Sequence, residues 1–403
     1  MNRVVFLNRF YWPEEPATAQ LLADLAEALG ADGRAVRVLA SHPGTTDVPA
    51  TETRHGVEIV RIRSFRADGR GKIAKALSWA AFAIAALWRV ARDTRSGDTL
   101  VLLTDPPLLA AVAAPLARAR GARVVHWVQD IYPELPLALG ARGLGWLRGP
   151  RDRAWRQADA VVTPGEDMAA VVRERGVAPG KIHAIPNWSP RGLAPALDTE
   201  IAVLRHEWGV DDNFVVAYSG NLGRVHDLEP ILDVAVELRG DSQFVFLFIG
   251  DGAQLPRLKE LARARGMANV RFLPPSPRAR LAASLSAADA HLVTLREDCA
   301  PFVFPSKLAG AAAVARPVLF IGPPDCEPAR LITGGGFGAA FPREAVPAMA
   351  EMLRAWRADP AARAALSRAA QAYAGTDASL PAVAARWRLL LSALDAGPAR
   401  HRA

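Results

Sequence analysis

The sequence predicts an α/β protein built from two doubly wound domains, each a parallel sheet wrapped by helices, facing one another across a cleft. Three observations carry this. Short β-branched runs alternate with longer helical patterns, and that alternation means parallel strands covered on both faces. The series starts afresh after a break at Pro186-Asn187-Trp188-Ser189-Pro190. A length of 403 residues suffices for two full cores.

In chain order, strands are expected at 3–8, 35–40, 57–62, 100–103, 123–128 and 160–163. Residues 17–29 read as a helix because Leu21, Leu22, Leu25, Ala28 and Leu29 fall on one face. The break at Pro186 opens an inter-domain linker running to about Glu200. Strands resume at 214–218, 243–249, 270–273, 290–294 and 318–321, with helices at 228–238, 256–265, 281–287 and 307–314. The predicted division is 1–195 for the first domain and 196–378 for the second, with a final helix in 379–403 returning toward the first.

Composition narrows the partners. The chain is 51% hydrophobic and 22% charged, as in an ordinary globular protein. Its net charge of +8 comes almost wholly from arginine and is spread along the chain. An anionic substrate or an anionic membrane surface explains that charge, and no nucleic-acid partner is expected. Cys299 and Cys326 are too few for a disulfide framework and lack metal-ligand spacing, so they are expected reduced, in a cytoplasmic protein. The histidines form no HxxxH pair, and no metal site is expected. MNRVVFLNRF runs straight into a strand pattern rather than a signal peptide. No apolar run reaches the roughly 20 residues that span a bilayer.

In open sheets, ligands bind outside the carboxyl ends of the strands. The polar residues there are Asn8, Asp105, Asp130, the turn at 219–224, Asp251 and the segment 305–307. The turn is the most telling. VVAYSGNLGR is an apolar run closed by Gly220-Asn221-Leu222-Gly223, with a helical pattern from near Asp227. Free amides and a helix N-terminus at a sheet edge attract phosphate. Arg224 adds a cation able to hold it through two parallel hydrogen bonds. Gly250-Asp251-Gly252 ends another strand; alone it fits a plain strand-to-helix turn equally well. Farther on, Ser306 is expected as a helix N-cap. Lys307 then falls in the first helical turn, where the dipole disfavours a cation. A bound anion explains that lysine, and an exposed lysine on a surface helix is the alternative.

Taken together, YSGNLGR, FLFIGDG, VRFLP, PSKLAGAAAVARPVLFIG and, in the first half, HWVQDIYPE resemble glycosyltransferase family 4. More narrowly they resemble its WbuB- and WcaI-like branch of bacterial O-antigen and colanic-acid assembly. The similarity covers nearly the whole chain, with the motifs in order. It implies a GT-B fold and retaining transfer of a hexosyl or N-acetylhexosaminyl group from a nucleotide-diphosphate sugar, UDP-type favoured. No metal or other cofactor is implied. The donor would bind the second domain and the acceptor the first.

Carried onto this sequence, the resemblance sets Gly220, Asn221 and Gly223 at the donor diphosphate, with Arg224 neutralising it. Gly250, Asp251 and Gly252 would line the nucleoside end, and Ser306 and Lys307 would join the donor set. Asp130 would stand beside the reacting sugar, where a carboxylate can stabilise an oxocarbenium-like centre and help take the acceptor proton. A loop residue capping a turn before Pro133 is the other reading of Asp130. Two departures stand out. Many family members carry paired glutamates where this chain has Phe302 and Gly310, and a lysine where it has His226-Asp227-Leu228. Lys307 would then supply the second cation, and Glu297, Asp298 or Glu327 a substitute carboxylate.

In the first domain, Asn8, Tyr11, Trp12, Glu14, Glu15 and Thr18 lie in or beside a long loop able to shape an acceptor pocket. A solvated loop with Thr18 near the helix cap is the alternative, and Asp105 in Thr104-Asp105-Pro106-Pro107 is equally open. Residues 76–88, ALSWAAFAIAALW, are uncharged and mostly apolar. Arg61, Arg63, Arg66, Arg70, Lys72 and Lys75 precede them; Arg89, Arg92 and Arg95 follow. Too short to span, the region 72–92 either lies in an anionic membrane interface or forms a deeply buried helix.

The sequence thus reads as a glycosyltransferase peripheral on the inner face of the cytoplasmic membrane. It would act on a lipid-linked or saccharide acceptor in O-antigen, capsule or exopolysaccharide biosynthesis. Two alternatives remain at this level: a nucleotide-sugar 2-epimerase of the same architecture, and a catalytically degenerate subunit of a polysaccharide-assembly complex.

Overall fold

The computed structural model describes residues 2–14, 16–45, 47–65 and 71–397, with Lys72 and Lys75 described by backbone alone. Glu15, Arg66, Arg70 and the side chains of Lys72 and Lys75 lie outside the described residues. The chain forms two compact units, Met1–Asn187 with Leu380–Ala403, and Trp188–Ser379.

The first unit contains β1 (Val4–Leu7), β2 (Val36–Ser41), β3 (Thr51–Arg54), β4 (Val57–Ile62), β5 (Thr99–Leu103), β6 (Arg123–Trp127), β7 (Ala160–Thr163) and β8 (Ile182–Ala184). Its helices are α1 (Ala17–Ala31), α2 (Lys72–Asp93), α3 (Leu109–Ala119), α4 (Glu134–Ala138), α5 (Arg148–Gln157) and α6 (Glu166–Glu174). The strands form one sheet in the order β3-β4-β2-β1-β5-β6-β7-β8, parallel except for β3. The second unit contains β9 (Phe214–Ser219), β10 (Phe244–Ile249), β11 (Val270–Leu273), β12 (Ala290–Thr294), β13 (Val318–Ile321) and β14 (Gly338–Phe341). Around them lie α7 (Asp198–Trp208), α8 (Glu229–Glu237), α9 (Leu255–Ala264), α10 (Leu281–Ser286), α11 (Lys307–Ala313), α12 (Glu327–Gly334), α13 (Val346–Ala358) and α14 (Pro360–Gly375). This sheet, order β11-β10-β9-β12-β13-β14, is parallel throughout.

The strands are apolar on both sides because both sides are covered. On β9, Val216 and Tyr218 enter one core cluster while Val215 and Ala217 enter another on the opposite face. The last helix, α15 (Leu380–Ala396), returns to the first unit. Trp387 sets its ring edge-on to Trp127 of β6, centroids 5.0 Å apart, and Asp395 pairs with buried Arg34 at 3.0 Å.

Three strands escape the sequence pattern: β3, β8 and β14. The hairpin joining β3 to β4 turns on His55 (φ 47) and Gly56 (φ 78), the two positive φ values that a tight two-residue turn needs. The linker is shorter than expected. Helix α7 starts at Asp198, within the stretch predicted to be loose up to Glu200, and Asp198 and Glu200 both favour its first turn.

Of the two readings of 76–88, the deeply buried helix does not hold. The segment lies inside the longer α2, which is amphipathic. Ser78, Phe82, Ala86 and Val90, four residues apart, are buried. On the opposite side, Ile73 (79% exposed), Leu77, Ile84 (70% exposed) and Trp88 face out. No helix among the described residues is long and apolar enough to cross a membrane.

Setting aside the antiparallel edge strand β3, each strand order reverses once. In the first sheet the reversal lies between β1 and β5, in the second between β9 and β12. Such switch points leave a crevice outside the carboxyl ends of the strands, where ligands bind in doubly wound sheets.

Candidate active site

At the β9/β12 switch point of the second unit, the glycine turn is held by its own backbone. Gly220 N–H donates to Ile249 O and Leu222 N–H to Asp251 O, both at 2.8 Å. Gln254 Nε2 donates to the carbonyls of Gly223 (2.6 Å) and His226 (3.0 Å), clamping the far end of the turn. Gly250 is obligatory: at φ +148°, a Cβ there would run into Gly220 O. The amides of Asn221, Gly223 and Arg224 have no acceptor among the described residues, so they are open to an anion. Helix α8 starts at Glu229 rather than near Asp227, so these amides belong to a loop and the helix terminus stands farther off. Arg224 is exposed and carries no ion pair among the described residues.

Lys307 comes to the same turn from the start of α11. Its stem crosses Gly220 so closely that a Cβ on Gly220 would lie 2.9 Å from Lys307 Cε. Its ammonium lies 5.0 Å from the centre of the Tyr218 ring and donates to His226 Nε2 at 2.9 Å. His226 Nδ1–H donates to Thr294 O, the end of β12, at 2.7 Å. That bond fixes the tautomer, leaving Nε2 with a lone pair for the lysine. Burial, and then the neighbouring Lys307 charge, lowers the His226 pKa to about 3, so the imidazole is neutral. Burial lowers Lys307 to about 8. The sequence singled out Lys307 but not His226 or Tyr218, which are remote in sequence and meet it only on folding.

The remaining second-unit residues fall into two groups. Asp251 and Ser306 are exposed near these turns, with Gly252 N–H donating to Asp251 Oδ1 at 2.7 Å. Ser306 occupies the N-cap position of α11 but makes no side-chain capping bond, contrary to the sequence expectation. Beyond β12, Asp227, Arg296, Glu297, Asp298 and Arg343 line a cavity of about 390 Å³. Asp298 commits both oxygens to Arg296 (2.9 and 2.6 Å), and Asp227 pairs with Arg343 at 3.0 Å. Glu297 carries no ion pair among the described residues, which makes it the open carboxylate of the cavity. Glu327 lies away from it, in the first turn of α12, close enough to Tyr373 to help raise the phenol's pKa.

In the first unit, the strand ends bring Asp105 and Asp130 together. Burial, and then the charge of Asp105, raises the Asp130 pKa to about 7. Asp130 borders a small pocket of about 30 Å³, also lined by Thr104, His126, Tyr132 and Arg151. His126, which the sequence reading passed over, is buried with no partner for Nε2 among the described residues and is held neutral by burial and by Arg118. Arg151 is fixed by a two-bond pairing with buried Glu134, each contact 2.9 Å. Asn8 is fully buried, and its amide donates to Phe10 O at 2.8 Å, so it pins the loop that follows β1. Tyr11 is buried in that loop, and the Arg54 guanidinium stacks 3.8 Å from the Trp12 ring. Glu14 is half-buried. Thr18 lies inside α1, whose N-cap is Pro16, so it caps nothing. No group of three or more potential metal ligands stands together among the described residues.

Two doubly wound sheets with these switch points define the GT-B fold, and solved structures share it along nearly the whole chain. The crystal structure of Anabaena HepE in complex with UDP matches with a TM-score of 0.75 at 17% identity, over 97% of this chain and 100% of that one. Sucrose-phosphate synthase from Thermosynechococcus elongatus matches with a TM-score of 0.77 at 16% identity, over 98% of this chain and 99% of that one.

Residues 18–188 match the glycosyl transferase 4-like domain, and residues 202–373 match the glycosyl transferases group 1. The chain belongs to the family 4-like glycosyltransferases. It is 28% identical to WcaI of Escherichia coli strain K12, assigned as a colanic acid biosynthesis glycosyl transferase, over 75% of this chain and 79% of that protein. It is 30% identical to WbjE of Pseudomonas aeruginosa, named as a glycosyltransferase, over 64% of this chain and 66% of that protein.

Proposed function

We propose that the protein transfers a hexosyl or N-acetylhexosaminyl group, with retention, from a UDP-type donor to a lipid-linked or saccharide acceptor in bacterial surface-polysaccharide assembly. One observation carries this reading: a loop with three unengaged amides, flanked by free Arg224 and by a desolvated Lys307. The name of the Escherichia coli relative and the UDP and UDP-glucose complexes of HepE support the pathway and the donor.

In this reading no metal is needed. The diphosphate gains negative charge as the glycosidic bond breaks, and fixed amides with two cations stabilise it without reorganising. Glu297 would bind donor hydroxyls in place of the absent glutamate pair. Asp130, by the family resemblance, would attend the reacting sugar. Arg224→Ala is expected to weaken UDP binding by about tenfold and to cripple turnover, as loss of a charge-assisted contact does. Titration calorimetry and a transfer assay check this; wild-type activity in that variant would contradict the assignment.

The outward face of α2 supports a peripheral membrane site. Ile73, Leu77, Ile84 and Trp88 form one apolar stripe, and the guanidiniums of Arg89 and Arg92 lie 5.4 and 5.1 Å from the Trp88 ring. A helix of this make-up sinks its apolar side into the headgroup region while its arginines meet anionic lipid. Leu77→Glu combined with Ile84→Glu is expected to lower affinity for phosphatidylglycerol-containing vesicles at least about tenfold, from the apolar burial lost. Co-sedimentation with the folded double variant measures it, and equal binding would remove α2 from the interface.

A further inference from the structure

We propose that His226 is the positioning residue for Lys307, replacing by a relay what a second cation in the glycine turn would otherwise supply. The inference rests on the donor reading above. It starts from the departure in the sequence: His226-Asp227-Leu228 stands where a lysine is common in the resembling family.

A lysine side chain has many rotamers, and an ammonium free to wander loses entropy when it binds an anion. Here it is constrained on three sides. The stem runs close over Gly220, where an added Cβ would lie 2.9 Å from Lys307 Cε. The Tyr218 ring flanks the ammonium, and Tyr218 itself is anchored through its hydroxyl, which donates to Asn221 O at 2.9 Å. His226 Nε2 takes one N–H at 2.9 Å, and the other two find no acceptor among the described residues. The imidazole cannot rotate away, because Nδ1–H is committed to Thr294 O at 2.7 Å and its backbone carbonyl to Gln254. Thr294 ends β12, so the chain of contacts ties Lys307 to the sheet edge. A neutral acceptor matters here. A carboxylate at this point would neutralise Lys307 and compete with phosphate, whereas an imidazole lone pair orients the ammonium and leaves its charge for the donor.

The test compares full-length His226→Leu, His226→Gln and Lys307→Met by UDP titration calorimetry and steady-state kinetics. Leucine removes both contacts; glutamine keeps them, since its amide can donate to Thr294 O and accept from Lys307. H226L is expected to raise the UDP Kd and the donor KM about tenfold, with acceptor KM unchanged, and H226Q to return both to within about threefold of the parent. Parent-like UDP binding by folded H226L would overturn the inference. So would H226Q as weak as H226L at the parent's Tm, because the role would then be one of shape. Should H226L not fold, H226N, whose shorter amide cannot span both partners, takes its place in the same comparison. If K307M itself binds UDP like the parent, the donor reading fails instead.

Discussion

Lys307→Met is expected to lower transfer by about 10²–10³-fold while leaving thermal stability nearly unchanged, the loss typical of removing a preorganised group from a developing negative charge. The two halves of this expectation have separate causes. The lysine sits at the start of α11, where the dipole disfavours a cation, and burial lowers its pKa to about 8. A lysine whose folded pKa lies below its unfolded value burdens the fold at neutral pH, and that burden is relieved as pH rises through the folded pKa toward the unfolded one. Methionine keeps the stem against Gly220 and removes the desolvated charge. The opposing cost is His226 Nε2, which loses its donor. Turnover and a thermal melt on one preparation check both halves. Retained turnover, or loss of activity together with loss of the fold, would contradict a functional lysine.

The pH dependence of kcat/KM is expected to be bell-shaped, with limbs near the free-enzyme values of Asp130 and Lys307, about 7 and about 8. The signs follow from which form works. In the proposed mechanism Asp130 would serve as a carboxylate, so activity would rise as pH climbs through its raised pKa. Lys307 would serve as an ammonium, so activity would fall as pH passes its lowered one. Donor diphosphate would hold Lys307 protonated, and the alkaline limb should therefore recede in kcat. Asp130→Asn is expected to abolish the acid limb and to lower the rate by about 10²–10⁴-fold, the usual worth of a positioned base. A surviving limb near 7 in D130N would assign it to another group.

Much of this was readable in the sequence, for identifiable reasons. Strands such as β9 and β10 are buried on both faces, so their apolar runs are unbroken, and the glycine turns follow them directly. The missed strands lack those signals. β3 is the polar edge TETR, β8 has three residues, and β14 begins Gly-Ala-Ala, residues with little strand preference. For β3 the His55-Gly56 turn was the available clue. In α2, apolar residues occupy both faces, so composition alone left burial and a membrane interface both open, whereas the four-residue spacing of Ser78, Phe82, Ala86 and Val90 separates the inner face from the outer.

The site divides along the same line. The glycine turn, Arg224 and Lys307 are marked by residue type and by position after a strand or at a helix start. His226 is separated from Lys307 by 81 positions, and the sequence marks its segment only as a departure from a common lysine, not as Lys307's partner. The raised pKa of Asp130 depends on burial and on Asp105, which only the folded sheet brings near it.

The central claim is that the turn after β9 holds a nucleotide diphosphate. Titration calorimetry of the full-length protein with UDP, GDP, ADP and dTDP, and with uridine as the phosphate-free control, tests it most directly. One-site binding of UDP, lost with uridine, is the predicted result. No heat of binding with any of the four diphosphates would contradict it.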